Sequence, residues 1–145
     1  MAVTVKTIKL WRCEVENKPG VLASALEPLA RAGTDLHIVM GYRYPGNETK
    51  AAIELFPVAG KKAAAAAKAA GLSTAPISVL RVEGDNKPGL GYAISKAISD
   101  AGINAAFLIA QVIGRKYSAV LGFETQDDTR KASVLIKKAA AAGKK

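Results

Sequence analysis

Asn17-Lys18-Pro19-Gly20-Val21-Leu22 and Asn86-Lys87-Pro88-Gly89-Leu90-Gly91 are one stretch met twice, 69 residues apart. At the same offset Arg12 becomes Arg81, Glu14 becomes Glu83, and Ala32-Gly33 becomes Ala101-Gly102, with no gap across the window. Self-similarity at a fixed spacing decides architecture before any local reading. Two copies of one unit, residues 1–71 and 72–145, account for nearly the whole chain.

Working outward from the Pro-Gly pair, each copy continues into an amphipathic helix. Val21, Leu22, Ala25, Leu26 and Leu29 in the first copy, and Leu90, Ile94, Ala97, Ile98 and Ala101 in the second, fall on one face of a 3.6-residue period. Pro19 and Pro88 suit the first helical turn, where a missing N–H costs nothing. Gly33 and Gly102 suit the left-handed position past the last turn. Pro28 should kink or loosen the first helix. Two strands follow: residues 36–44 and 51–58 around Pro45-Gly46-Asn47, then residues 105–113 and 117–123 around Gly114-Arg115-Lys116. A second helix closes each copy, over residues 61–70 up to Gly71 and 129–142 up to Gly143, with Asp127 and Asp128 as N-caps of the latter. Each copy reads β-α-β-β-α, and a further strand completes βαββαβ.

The opening strands explain where that further strand comes from. Apolar residues run Val3, Val5, Ile8, Leu10, then Trp11, Cys13, Val15, changing phase between Leu10 and Trp11. In the second copy the change falls between Val79 and Leu80. A side-chain face cannot switch inside a regular strand, so a bulge or a crossing between sheets is expected at each place. Each long strand then serves as the last of one unit and the first of the next, with residues 3–8 filling the vacant place in the second unit.

The chain has 145 residues, half of them hydrophobic, enough for one domain or two small ones. No apolar run reaches the length of about 18 residues that a membrane span needs, and Lys6 and Lys9 interrupt the start where a signal peptide would be apolar. One cysteine, Cys13, excludes an internal disulfide framework and a multi-cysteine zinc site. A soluble cytoplasmic protein is expected. The formal charge is +9, which favours anionic partners. Many of its lysines, however, lie in or beside alanine-rich helices, where they keep an Ala face soluble.

Both copies carry Asn-Lys-Pro-Gly, an apolar residue, a helix, Ala-Gly, one residue, then Asp35 or Asn104. This frame resembles the ACT domain, a ferredoxin-like βαββαβ module that regulates amino-acid metabolism. The resemblance implies an α+β fold of two such units, an antiparallel sheet with helices packed on one face. It also implies that a small amino acid binds at an interface of two units, near the loop from first strand to first helix. Carried over, the ligand-binding residues are Asn17, Lys18, Pro19, Gly20, Val21, Leu22 and Asp35, and Asn86, Lys87, Pro88, Gly89, Leu90, Gly91 and Asn104.

Physical chemistry supports that position. A helix opening after Pro-Gly offers unpaired N–H groups and the positive end of its dipole to a carboxylate. Gly20 and Gly89 let a ligand approach the backbone. Asp35 and the amide oxygens of Asn17, Asn86 and Asn104 could accept from an ammonium group. Asp35 brings a charge where Asn104 brings a dipole, which favours the first copy. The second copy has Gly91 and Tyr92 where the first has Leu22 and Ala23, so one copy could bind while the other scaffolds. The same asparagines also read as helix caps, and each Pro-Gly as a tight turn alone.

His37 is the single histidine and has neither metal partners nor a triad in view. Gly89-x-Gly91 is too short for a dinucleotide fingerprint. Residues 116–123 loosely echo an RNA-binding strand, but Val120 stands where an aromatic should stack, and aromatics are 6% of the chain. No enzyme, metal, cofactor, membrane or nucleic-acid partner is expected. The expected protein is regulatory and signals to a separate enzyme or regulator chain. The alternative is a ligand-free assembly module. The two units side by side are expected to form one eight-stranded antiparallel sheet with four helices on one face, and a homodimer of the whole chain is expected because such sheets leave edges to cover.

Overall fold

The computed structural model describes residues 3–142. They form two compact units, one of residues 9–76 and one of residues 3–8 with 77–142.

In the first unit β2 (Trp11–Glu16), α1 (Val21–Arg31), β3 (Ile38–Tyr44), β4 (Asn47–Phe56), α2 (Lys61–Ala69) and β5 (Ser73–Thr74) follow in order. β1 (Val3–Ile8) comes before them in sequence but belongs to the other sheet. The first unit's sheet runs β3-β4-β2-β5, all neighbours antiparallel. That is the ferredoxin-like order for βαββαβ. Both helices pack on one face, where Cys13, Ile53 and Leu55 meet Ala25 and Leu29 of α1 and Ala67 of α2.

The second unit holds β6 (Val79–Asp85), α3 (Leu90–Asp100), β7 (Ala105–Ile113), β8 (Lys116–Phe123) and α4 (Gln126–Ala142). Its sheet runs β1-β6-β8-β7, again antiparallel. β1 stands where a fourth strand would, pairing Val5 with Val82. Leu80, Val82 and Leu121 of the sheet pack with Ile94 and Ile98 of α3 and with Ala132 and Ile136 of α4.

The fold is the α+β pair of ferredoxin-like units, with several local corrections. The two sheets are separate four-stranded ladders, so the single eight-stranded sheet does not form. The chain leaves one ladder at Ile8 and enters the other at Trp11, which accounts for the phase change between Leu10 and Trp11. The second crossing lies at residues 75–78, earlier than Val79-Leu80, and Val79 and Leu80 are both buried within β6. Pro76 interrupts the strand there and cannot donate to a ladder.

Pro19 and Pro88 lie outside the helices, whose N-caps are Gly20 (φ 93°) and Gly89 (φ 83°). Those left-handed angles are cheap only for glycine. Asp127 and Asp128 are in the first turn of α4, and Thr125 caps instead, its Oγ1 accepting from the Asp128 amide at 3.0 Å. Gly143 lies outside the described residues. α1 runs through Pro28 to Arg31. Gly33, Gly71 and Gly102 end their helices as expected. In each, a glycine amide bonds back three residues while the next amide reaches back five, as with Gly33 to Ala30 and Thr34 to Leu29, both 3.0 Å.

Candidate functional site

The loop after β2 is tied to the β3–β4 hairpin. The Asn17 amide donates to Thr49 O at 2.9 Å, and its Nδ2 donates to Glu48 O at 2.8 Å. Asn17 therefore fixes the loop and does not cap α1, whose N-terminus has no side-chain cap. The first intrahelical bond runs from Ser24 N–H to Gly20 O at 3.0 Å. The amides of Val21, Leu22 and Ala23 precede it, and no acidic residue sits in the first turn. The result is a bare positive helix end.

Two clefts flank that end. One, of about 420 Å³, lies between Lys18–Val21, Ser24 and the end of α2 at Ala69 and Ala70. The other, of about 370 Å³, runs from Asn17, Val21 and Leu22 across the sheet to Gly41, Arg43 and Ala51. Gly41 opens this second cleft: a Cβ there would meet Leu22 Cδ2 only at 3.9 Å. β3 is an edge strand, so its outward carbonyls are unpaired acceptors. Donors for a carboxylate and acceptors for an ammonium thus border one opening.

Sequence reasoning missed Gly41 and Arg43. A glycine inside an apolar strand was the available signal, since it marks a close approach.

Asp35 is not brought to this place within its own unit. It follows the far end of α1, about 16 Å from Gly20 at 1.5 Å per residue. There it lies 91% exposed, 3.3 Å from His37 Nε2, at a third cleft of about 460 Å³ that Gly33 and Gly60–Ala63 also line. Asp35 and His37 precede β3 rather than lying on it.

The second unit repeats the loop with differences. The Asn86 amide donates to Arg115 O at 2.8 Å, and α3, like α1, has no side-chain cap. Asn86 therefore does not cap either. Lys87 O accepts from the Leu90 amide at 3.3 Å, and Leu90 is buried. Asn104 sits beyond the far end of α3, its Nδ2 3.5 Å from Glu124 Oε1. At the loop itself Asp85 pairs with Lys116 at 2.5 Å, which holds the Asp85 carboxyl below its ordinary range. Among the described residues no three His, Cys, Asp or Glu side chains converge as a metal set, and no helix is long and apolar enough to cross a membrane.

Comparisons with known proteins identify the family and the fold. The family model of the ACT domain pair matches residues 3–142. The chain belongs to the ACT domain family. No curated protein matches its sequence. Among solved structures, protein BT0572 of Bacteroides thetaiotaomicron is 19% identical, with a TM-score of 0.69 over 88% of this chain and 87% of that one. The ligand-free regulatory subunit of aspartate kinase from Thermus thermophilus is 14% identical, with a TM-score of 0.61 over 96% and 97%. Its counterpart from Thermus flavus, also 14% identical, scores 0.58 over the same shares. At such identities these likenesses establish the fold.

Proposed function

We propose that this ACT pair is a non-catalytic regulatory protein of the cytoplasm that binds a small amino acid beside α1 and reports it to a separate catalytic or regulator chain. The carrying observation is the bare α1 N-terminus opening on the cleft beside Gly41. The amides of Val21 and Leu22 would hold the carboxylate, with Pro19 and Gly20 shaping the approach. The Asn17 Oδ1 and β3 edge carbonyls would take the ammonium group. Arg43 at the rim would favour a ligand with a second acceptor. Lys18 is committed to Glu16 at 3.4 Å and would contribute charge rather than contact.

The Thermus proteins of this fold are regulatory subunits of aspartate kinase, and they match this chain over nearly their whole length. That match supports a free-standing regulator. Ligand contacts that differ between two arrangements would shift their populations, which is the signal a partner reads. We also propose a homodimer joined along β7, because that edge strand carries no charge in nine residues and leaves Leu108, Ile109, Val112 and Ile113 exposed.

Thermal unfolding against each of the twenty amino acids at millimolar concentration tests the sensor reading. A ligand at 100 times its dissociation constant adds about 2.7 kcal/mol. One amino acid should raise the midpoint, and Gly41→Phe, whose Cβ would meet Leu22 Cδ2 only at 3.9 Å and whose ring would occupy the cleft, should abolish the rise. If no amino acid raises it, the sensor reading fails and the assembly role stands alone.

A further inference from the structure

The two repeats part company at the spot that holds the cleft beside α1. In the first unit Val15 stands opposite Ala51 across β2 and β4, and Leu22 lies in the first turn of α1. In the second unit the same register sets Gly84 opposite Tyr117, and Gly91 takes the place of Leu22, 69 residues on. Two branched apolar side chains are lost, from β6 and α3, and one aromatic ring is gained on β8.

The ring is packed, not displayed. Tyr117 is 5% exposed and belongs to the core with Leu90 and Ile94. Its hydroxyl reaches under the helix start, where a Cβ on Gly91 would lie 3.8 Å away. That hydroxyl is enclosed and has no hydrogen-bond partner among the described residues. Burying an unpaired hydroxyl costs free energy, so the gain must lie in the volume the ring fills.

We infer that Tyr117 is a plug closing the second repeat's counterpart of the cleft, so that each chain takes one amino acid, in the first repeat alone. This rests on the sensor reading above for its ligand, though not for the plug itself. The exchange is reversible in principle. Gly91 is helical, so its backbone accepts a side chain once the ring is gone.

The test uses the ¹⁵N-labelled full chain and an equimolar mixture of the twenty amino acids at millimolar concentration. Amide shifts should be confined to residues 17–22 and 41–43. In Gly91→Leu/Tyr117→Ala they should spread to residues 86–91, with the bound stoichiometry rising twofold. Shifts at 86–91 in the unmodified chain would overturn the plug while leaving the sensor reading intact. Shifts nowhere would overturn the sensor reading, and Tyr117→Phe then judges the plug by itself. A midpoint unchanged or raised supports a ring kept for its volume, whereas a lowered midpoint shows that the hydroxyl is used and sinks the idea.

Discussion

Glu54 is only 4% exposed, yet it sits on the sheet face opposite the helices of the first unit, where the Tyr42 hydroxyl donates to its Oε2 at 2.6 Å. Beside them Arg12 donates to the Tyr44 hydroxyl and lies 5.7 Å from the centre of that ring. Burial first, and then the bond to Glu54, push the Tyr42 phenol from 10.0 up to about 12. The folded chain therefore holds this proton more tightly than the unfolded one. That stabilisation is whole below about pH 10 and is lost as pH climbs toward 12. Unfolding midpoints followed across this window should fall, and Tyr42→Phe should remove part of the fall. Burial also raises the Tyr117 phenol, so some of the decline should remain. Cys13 behaves in parallel: burial pushes its thiol up, and a thiol reagent should modify it far more slowly in folded than in unfolded protein. None of this pairing was legible in the sequence. Tyr42 and Glu54 are on different strands, and the register that brings them near sets Tyr42 opposite Ala52. The loop-to-helix junctions, by contrast, were legible because an apolar 3.6-residue period begins directly after each Pro-Gly pair. What could not be read was that Asn17 ties the loop to Glu48 and leaves α1 uncapped.

Strands show the same compensation in a second place. Ile38 faces Phe56 in the first unit, while the corresponding pair in the second is Phe107 and Gly122. The Phe107 ring lies over the glycine so closely that a Cβ on Gly122 would fall 2.0 Å from its Cε2. Gly122→Ala should therefore destabilise the second unit by about 1–3 kcal/mol or more, measurable by urea denaturation. β7 carries the harder lesson. A run of Ala, Phe, Leu, Ile and Val without alternation reads as a strand buried on both faces, and yet it is an edge with Ile113 66% exposed. Periodicity assigns faces, but neighbour order decides which strand is an edge. The other edges are blunted: β1 by Lys6, β3 by Arg43, and β5 by its length of two residues. If β7 is covered by a second copy, Ile109→Lys should lower the mass seen by sedimentation without lowering the unfolding midpoint of the dissociated chain. An unchanged mass would remove β7 from the interface.

At the scale of the chain, the units interleave in sequence. β1 completes the sheet of the second unit, although the whole first unit separates it from β6. The phase change at Leu10-Trp11 made a crossing legible, because a face reversal has few causes. The division into two ladders was not legible, since apolar spacing says nothing about which edges meet. The first unit closes its own sheet with only Ser73 and Thr74 on β2, whereas β1 gives β6 six paired residues. The second unit thus depends on a strand remote in sequence, and it should respond when that strand is removed. Beginning the chain at Lys9 should strip hydrogen-exchange protection from the β6 amides that bond toward β1, uncover Val82 and weaken α4, which packs on β1. Protection in the β2–β4 ladder should persist, because its partners lie within residues 9–76. Attaching residues 3–8 behind Ala142 through a flexible linker should then restore protection in β6. Equal loss in both ladders would mean that the units unfold as one body, and β1 would be a support for the whole chain rather than the missing strand of one half.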